Sequence, residues 1–443
     1  MVKVILVGNG AREHAIAEAL VRGGAILRAF MAARNPGITK LCNNNIKIGK
    51  LDNFEALASF AEGCDFAVVG PEAPLVVVCA DALQSAGIPC VGPTIQCAQL
   101  EGSKDFTRRL LDKYNISSNV PHTKFSKRDY DRNAILSAME TYGAEGYVLK
   151  PDGLTGGKGV RIAGEHLKSY LEGLQYATAS LDSGDDLVVE ERCEGEEFTL
   201  QTFVDGTHVV GTPLVQDHKR AFEGDQGPNT GGMGSYSMPD GLMPFVNQAD
   251  VDQAILVMEK TVRAVKQETT ETYKGFLYGQ FMKTPKGIRL IEYNVRFGDP
   301  EAMNVLPIME SNFVEVCQKI LDGTLGGQLR FQKKATVTKY LVPTGYPDNP
   351  AANALIEVNT DTLQKVGAKY YFASVDERDD KIYTSKSRAI GILGIADTLE
   401  QAEQVAEHGT ACIQGNLYHR RDVGTKNLLQ KRIDHMNRLM SKK

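Results

Sequence analysis

The 443-residue chain has no apolar run of about 18 residues, so no segment is expected to cross a membrane as a helix. Its start, MVKVILVGNG, is a short apolar stretch that runs into glycine. It lacks the longer apolar stretch and small-residue cleavage site of a signal peptide, and a cytoplasmic protein is expected. There is no basic excess: 50 Lys and Arg face 55 Asp and Glu, for a formal net charge of −5. That balance gives no reason to expect a nucleic-acid or membrane surface. None of the eight cysteines forms a C-x-x-C pair, and most sit in apolar company, as Cys79 does in LVVVCADAL. Buried free thiols are expected, not a disulfide framework or a zinc site. No internal repeat or low-complexity segment stands out.

Two familiar phosphate motifs are also missing. The stretch KPDGLTGGKGV (150–160) is rich in glycine and lysine, but Gly157-Lys158 is followed by Gly159. A P-loop needs Ser or Thr there to hold magnesium, and a glycine where Asp152 stands. A dinucleotide fingerprint starts at Gly8-Asn9-Gly10, but its sixth position is Glu13 and the next strand ends in the basic FMAARNPG.

What remains is ordinary globular composition, 42% apolar and 24% charged, on a chain long enough for two to four domains. The first hundred residues alternate strand and helix signals. KVILVG, DFAVVG and IPCVG each end an apolar run in glycine, and AREHAIAEALV has helical spacing. This predicts a parallel sheet with crossover helices, with GNGAREHA, GPEAPL and GPT along its ligand-binding rim. Next, GYVLKPDGLTGGKGVRIAG reads as strand, glycine loop, strand, followed by a helix over 165–180 and the strand DLVVEE. Expected units are 1–101, a parallel α/β domain; 102–190; 191–325; and 326–443, closed by the helix TKNLLQKRIDHMNRLM.

A glycine-rich hairpin tip is either an ordinary loop or a phosphate cradle built from backbone N–H groups, with Lys158 adding charge. Its company bears on the choice. In LIEYNVRFGDPE (290–301), strand alternation puts Glu292, Asn294 and Arg296 on one side, and Ile291 and Tyr293 on the other. A carboxylate, an amide oxygen and a guanidinium suit a magnesium–nucleotide floor. Gln280, on the preceding strand, would face it across the hairpin. VVEERCEGEEF (188–198) is either a solvated acidic turn or a hinge for adenine, with Glu197 reaching the ribose. Arg220 and Asn229 flank the glycine-rich turn GPNTGGMGSYS; His218 receives no catalytic role.

Taken in order, GNGAREHA, VGPEAPL, GPT with QLEGSKDF, KPDGLTGGKGV, EGEEF, QDHKR, GPNTGGMG, RFGDPE and RRDVG resemble the glycinamide ribonucleotide synthetase family of ATP-grasp ligases, over nearly the whole chain. The resemblance implies an α/β and α+β multidomain fold: a Rossmann-like preATP-grasp domain, an ATP-grasp domain with a glycine-rich hairpin lid, and an α+β carboxy-terminal domain. It implies ATP and Mg2+ or Mn2+ as cofactors, glycine and 5-phosphoribosylamine as substrates, no nucleic-acid or membrane partner, and a monomer or homodimer.

By position, Lys104 and Lys150 would contact ATP phosphates, and Gly156, Gly157, Lys158 and Gly159 would form the lid. Glu190, Glu191, Arg192 and Cys193 would line the adenine hinge, with Glu197 at the ribose. Arg220 and Asn229 would join the phosphoryl site, and Glu292 and Asn294 would hold the metal. Asn9, Gly10, Glu13 and Glu72 would face the phosphoribosylamine. Asp217, Arg296 and the Gly298-Asp299-Pro300 turn would serve the glycine and acyl-phosphate end, with Arg296, Arg220 and Asp299 as the catalytic candidates. This sequence departs from the family pattern at Ala11, at AARNPG (32–37), at Thr155-Gly156 and at SKSR (385–388). The alternatives are another ATP-grasp ligase or carboxylase, and a nucleotide sensor without turnover.

Overall fold

The computed structural model describes residues 1–154 and 159–442. Residues 3–91 carry a five-stranded sheet in the order Ile46–Ile48, Ile26–Met31, Lys3–Val7, Phe66–Val69, Cys90–Val91. All its neighbours are parallel, as expected. Residues 4–7 and 66–69 are buried, the pattern of strands covered on both faces. The order reverses beside Lys3–Val7, so the loops after that strand and after Phe66–Val69 open a crevice at a topological switch point. Glycine is required there. Gly8 has φ +115°, and a Cβ on it would lie 2.7 Å from the Pro71 ring. A Cβ on Gly70 would lie 2.2 Å from Glu13 Oε1.

The hairpin expected around residue 150 is present. Tyr147–Pro151 pairs antiparallel with Arg161–Ile162, in a four-stranded sheet completed by Leu187–Glu191 and His122–Phe125. Ile135, Met139, Tyr147, Leu149, Ala177 and Leu187 form the small core between this sheet and its helices Arg132–Tyr142 and Tyr170–Asp182. The lid residues Gly156, Gly157 and Lys158 lie outside the described residues. The helix expected from 165 starts at Tyr170, because the Ser169 hydroxyl caps it by accepting from Glu172 N–H at 3.2 Å.

A second four-stranded sheet runs Val209–Gly211, Glu196–Val204, Gly275–Thr284, Gly287–Asn294. Phe198, Leu200 and Val204 pack with Val257, Met258 and Val265 of the helix Gln248–Thr269. Strand alternation then aims Glu197, Thr199 and Gln201 away from that helix. On the last strand Leu290 and Tyr293 share this core, so simple alternation fails. The register explains it: Phe281 faces Leu290 but Gln280 faces Glu292, leaving Ile291 as a bulge. The bulge reverses the phase: Tyr293 joins that core and Ile291 does not, whereas simple alternation puts the two on one face. The strand ends at Asn294, and Arg296 stands just beyond it.

The strands Gln216–Asp217 and Gly234–Ser237 join Ala335–Pro343, Ile390–Ala396 and Lys369–Phe372 in one sheet. The carboxy-terminal strands are therefore hydrogen-bonded to the segment that carries GPNTGGMG. The helix Lys426–Ser441 closes the chain, capped by Thr425. All eight cysteines are free. Among the described residues no helix is long and apolar enough to cross a membrane.

Candidate active site

A cleft of about 740 Å³ opens between the parallel domain, the hairpin sheet and the 196–294 sheet. Its cationic end is organised by one buried carboxylate. Glu190 Oε1 accepts from Arg108 Nε at 2.8 Å, and Oε2 pairs with Lys150 Nζ at 2.6 Å. Burial opposes ionisation of Glu190, but Arg108 and Lys150 more than offset it and hold the carboxyl down at about 2. This side chain is committed to two cations, and Glu190 lines the cleft together with Glu191, Arg192 and Cys193.

Lys104 begins the helix Lys104–Lys113 and ties that helix to the hairpin. Its Nζ donates to Gly153 O at 2.7 Å, and Asp152 accepts from Lys104 N–H at 2.6 Å and Ser103 Oγ at 2.9 Å. Burial lowers the Lys104 pKa. Leu154 and Val160 line the cleft, so the hairpin leaves and rejoins the fold at its edge. Gly159 is tied back by its carbonyl, which accepts from Tyr176 OH at 2.6 Å.

On the floor, Gln280 Nε2 donates to Glu197 Oε2 at 2.5 Å, and Gln280 Oε1 accepts from Lys219 Nζ at 2.6 Å. Lys219 lies 3.9 Å from Glu292 Oε1. Burial disfavours charge on Glu292, yet Lys219, Lys150 and Lys104 together lower its pKa and keep it ionised. Asn294 Oδ1 accepts from Arg296 Nη2 at 2.9 Å. Among the described residues no group of three or more His, Cys, Asp or Glu forms a metal cage. A carboxylate and an amide oxygen side by side do fit an ion that takes its other oxygens from phosphate and water. Arg220 and Asn229 are register partners in a short ribbon at the cleft edge. Arg220 donates to Gly227 O at 2.9 Å and pairs with Glu165.

At the other end Arg296 joins the parallel domain to the floor. It donates to Glu101 Oε1 at 3.0 Å and Glu72 Oε2 at 3.2 Å, while Arg12 stands 3.6 Å from Glu72. Burial pushes Glu101 up to about 7 despite Arg296. Glu72 is held at about 2, because Arg296 and Arg12 outweigh its burial. Asp299 accepts from Tyr340 OH at 2.5 Å and Arg388 Nη2 at 3.0 Å. Arg388 lies over the Tyr340 ring at 4.4 Å and also donates to the Gly231 and Gly232 carbonyls. Asp217 is held well above the usual carboxylate range, by burial and then by Glu301. Gly298 N–H donates to Gln201 Oε1 at 2.8 Å, and Pro300 precedes the helix Glu301–Val305; neither lines the cleft.

Of the four expected rim residues, Asn9, Gly10 and Glu13 do not line the cleft. Glu13 does not face outward. It is 3% exposed, and its carboxylate accepts from Gly10 N–H and Arg12 Nε, each at 2.6 Å. Gly8, Gly10 and Gly70 leave the space it fills. Asn9 braces the next loop, accepting from Ala32 N–H at 3.2 Å, and Gly10 borders Asp299. Glu72 does line the cleft.

Three family models match in order: phosphoribosylglycinamide synthetase N domain over residues 2–101, its ATP-grasp (A) domain over 102–302 and its C domain over 336–426. The chain is 48% identical over 443 residues to the phosphoribosylamine–glycine ligase of Methanothermobacter thermautotrophicus, covering 99% of this chain and 100% of that one. This chain belongs to the phosphoribosylamine–glycine ligase family. It is 47% identical to the Methanobrevibacter smithii ligase over 445 residues, again 99% of this chain and 100% of that one. The crystal structure of the Thermotoga maritima ligase superposes with a TM-score of 0.81 at 27% identity, covering 95% of this chain and 100% of that one.

For a ligase of this family, the sequence reading left out Arg12, Glu101, Lys219, Glu301 and Arg388. The first four lie inside AREHA, QLEG, QDHKR and GDPE, so the motifs carried them unremarked. Arg388 sits in SKSR, far from the other motifs in sequence, and only the shared sheet brings it to Asp299.

Proposed function

We propose that this ligase joins glycine to 5-phosphoribosylamine at the expense of ATP, giving glycinamide ribonucleotide, ADP and phosphate, as a cytoplasmic step of de novo purine biosynthesis. One observation carries the reading: a single cleft is lined by the cationic end at Lys104 and Lys150, the acidic floor at Glu292, and the Glu72–Arg296–Asp299 end below the switch-point loops. Two substrates and a nucleotide must meet in such a reaction, and the cleft offers an environment suited to each.

The glycine carboxylate attacks the γ-phosphorus, ADP leaves, and glycyl phosphate forms. The amine of phosphoribosylamine then attacks the acyl carbon, loses a proton and expels phosphate. Phosphorylation is needed because oxide is a poor leaving group. No covalent enzyme nucleophile is required; alignment and charge neutralisation suffice for phosphoryl transfer.

Lys104, Lys150 and Arg220, with Asn229 beside it, hold the phosphates. Glu191, Arg192 and Cys193 border the adenine, and Glu197 the ribose. Glu292 and Asn294 would hold Mg2+ or Mn2+, which, when bound, offsets phosphate charge. Lys219 keeps Glu292 ionised beforehand. Arg296, Asp217 and Asp299 face the glycine and its acyl phosphate; Asn9, Gly10 and Glu72 border the phosphoribosylamine. Glu13 acts one step back, by fixing the Gly10 loop. The acyl phosphate must be kept from water, the role that the sequence reading gives to Lys158 and its glycines.

The test is ADP release with MgATP while glycine or phosphoribosylamine, generated in place, is omitted in turn. ADP formation that needs both, with one amide formed per ADP, is expected. ATP binding without glycine-dependent ADP release would instead make the protein a nucleotide sensor.

A further inference from the structure

The helix Lys426–Ser441 begins where the C-domain match ends, at residue 426, and carries none of the family motifs. It nevertheless reaches the nucleotide end of the cleft. Leu428, Met436 and Leu439 are buried, and Arg432 and His435, three residues apart, line the cleft from the same side. Arg432 Nη1 donates to Glu196 Oε2 at 2.6 Å and Nη2 to Asp225 Oδ2 at 3.1 Å. His435 Nδ1 lies 2.6 Å from Glu196 Oε1. Asp225 also pairs with Arg420 at 3.0 Å, and Arg420 Nη1 donates to the backbone carbonyl of Arg220 at 3.1 Å.

Glu196 precedes Glu197 on one strand. Asp225 sits in the turn of the ribbon that carries Arg220 and Asn229. The two acids would repel if nothing cationic stood between them. Arg432 is only 17% exposed, and its planar fork can bind both at once, which a lysine cannot do with the same geometry.

We propose that the carboxy-terminal helix is a positioning element of the nucleotide site: Arg432, by joining Glu196 to Asp225, sets the separation between the strand bearing Glu197 and the ribbon bearing Arg220 and Asn229. This rests on the ATP reading of the cleft. Arg432 is a positioning residue, since it acts through Glu196 and Asp225. A guanidinium fixed in two directions holds both walls ready before nucleotide arrives, so its loss falls on nucleotide affinity rather than on glycine.

The experiment uses the full chain with Arg432→Met, Arg432→Lys and Glu196→Gln. A non-hydrolysable ATP analogue with magnesium is titrated by calorimetry, alongside KM for ATP and for glycine and the melting temperature. Arg432→Met should weaken analogue binding about tenfold or more while the glycine KM stays within about twofold. Arg432→Lys should fall between, and millimolar methylguanidinium should recover part of the affinity lost in Arg432→Met. Should Arg432→Met not fold, Glu196→Gln carries the test, with a smaller loss in the same direction. Wild-type binding matched by the variants, or ATP and glycine KM worsening together, overturns the inference alone. Absence of analogue binding by the wild-type chain overturns the nucleotide reading of the cleft, and the inference with it.

Discussion

Gln280 lies directly opposite Glu292 in the antiparallel floor of the cleft, and its amide holds Lys219 on one side and Glu197 on the other. Lys219 in turn helps keep Glu292 ionised. The floor is thus a preset arrangement of alternating charge, and in the proposed reaction Glu292 is the carboxylate that would meet the metal. Glu292→Ala should lower kcat for ADP release by about 100-fold or more, the scale of losing a main electrostatic contact in the transition state. The Glu292 side chain is 39% exposed, which weakens its attraction to Lys219, Lys150 and Lys104, so the melting temperature should fall only modestly. Wild-type turnover in that variant would remove the metal assignment.

The glycines of the switch point make a second prediction. A Cβ on Gly70 would sit 2.2 Å from Glu13 Oε1 and 2.4 Å from Glu13 Cγ. Gly70→Ala must therefore displace Glu13 from Gly10 N–H and Arg12. Overpacking of this kind costs about 1–3 kcal/mol. The expected kinetic result is a raised KM for phosphoribosylamine with the KM for ATP unchanged. Equal rises in both would show that the loop serves the whole cleft rather than its rim.

Much of this arrangement was legible in the sequence because local pattern and site coincide. Apolar runs ending in glycine gave the parallel sheet, and the glycine-rich stretch between two strand signals gave the hairpin. The side of the sheet on which Glu292 and Asn294 lie was inferred correctly by simple alternation, although the strand reaches it through a bulge. Leu290 and Tyr293 face the same core only because Ile291 is extra. A bulge depends on the partner strand and leaves no mark in a single segment. Glu13 was misplaced for a related reason: an acid next to a glycine turn looks like a ligand contact, and only the closeness of Gly8 and Gly70 in space turns it inward. Arg388 and Arg432 were silent because their partners lie 89 and 236 residues away in sequence.

Glu190 sets the acid stability of the hairpin sheet. Its folded pKa of about 2 lies below the ordinary 4.5, so its contribution is fully present above about pH 4.5 and is lost as pH falls toward 2. Glu190→Gln leaves Arg108 and Lys150 buried without a counter-charge, which costs about 3 kcal/mol near neutral pH. Melting curves of wild type and variant should differ fully at pH 7 and pH 5, and converge as the pH is lowered below about 4.5. A gap that stays constant down to pH 3.5 would mean that the carboxylate charge is not what stabilises this cluster.

Arg388 joins the carboxy-terminal domain to Asp299, the end of the cleft proposed for glycine. Its guanidinium donates to Asp299 Oδ2, to the Asp299 carbonyl at 3.0 Å and to two glycine carbonyls, while its plane lies over Tyr340. Tyr340 holds the other Asp299 oxygen, so the carboxylate is fixed from two sides. Lysine can supply the charge but not four directed contacts and a stacked plane. Arg388→Lys should therefore behave almost as badly as Arg388→Met. Both should lower kcat/KM for glycine about 10- to 100-fold, a loss of roughly 1.4–2.7 kcal/mol. Tyr340→Phe, which keeps the ring under Arg388 and removes one contact to Asp299, should fall between them and the wild type. If Arg388→Lys retains full activity, charge alone is what the site takes from this domain, and the orientation of Asp299 is set by Tyr340.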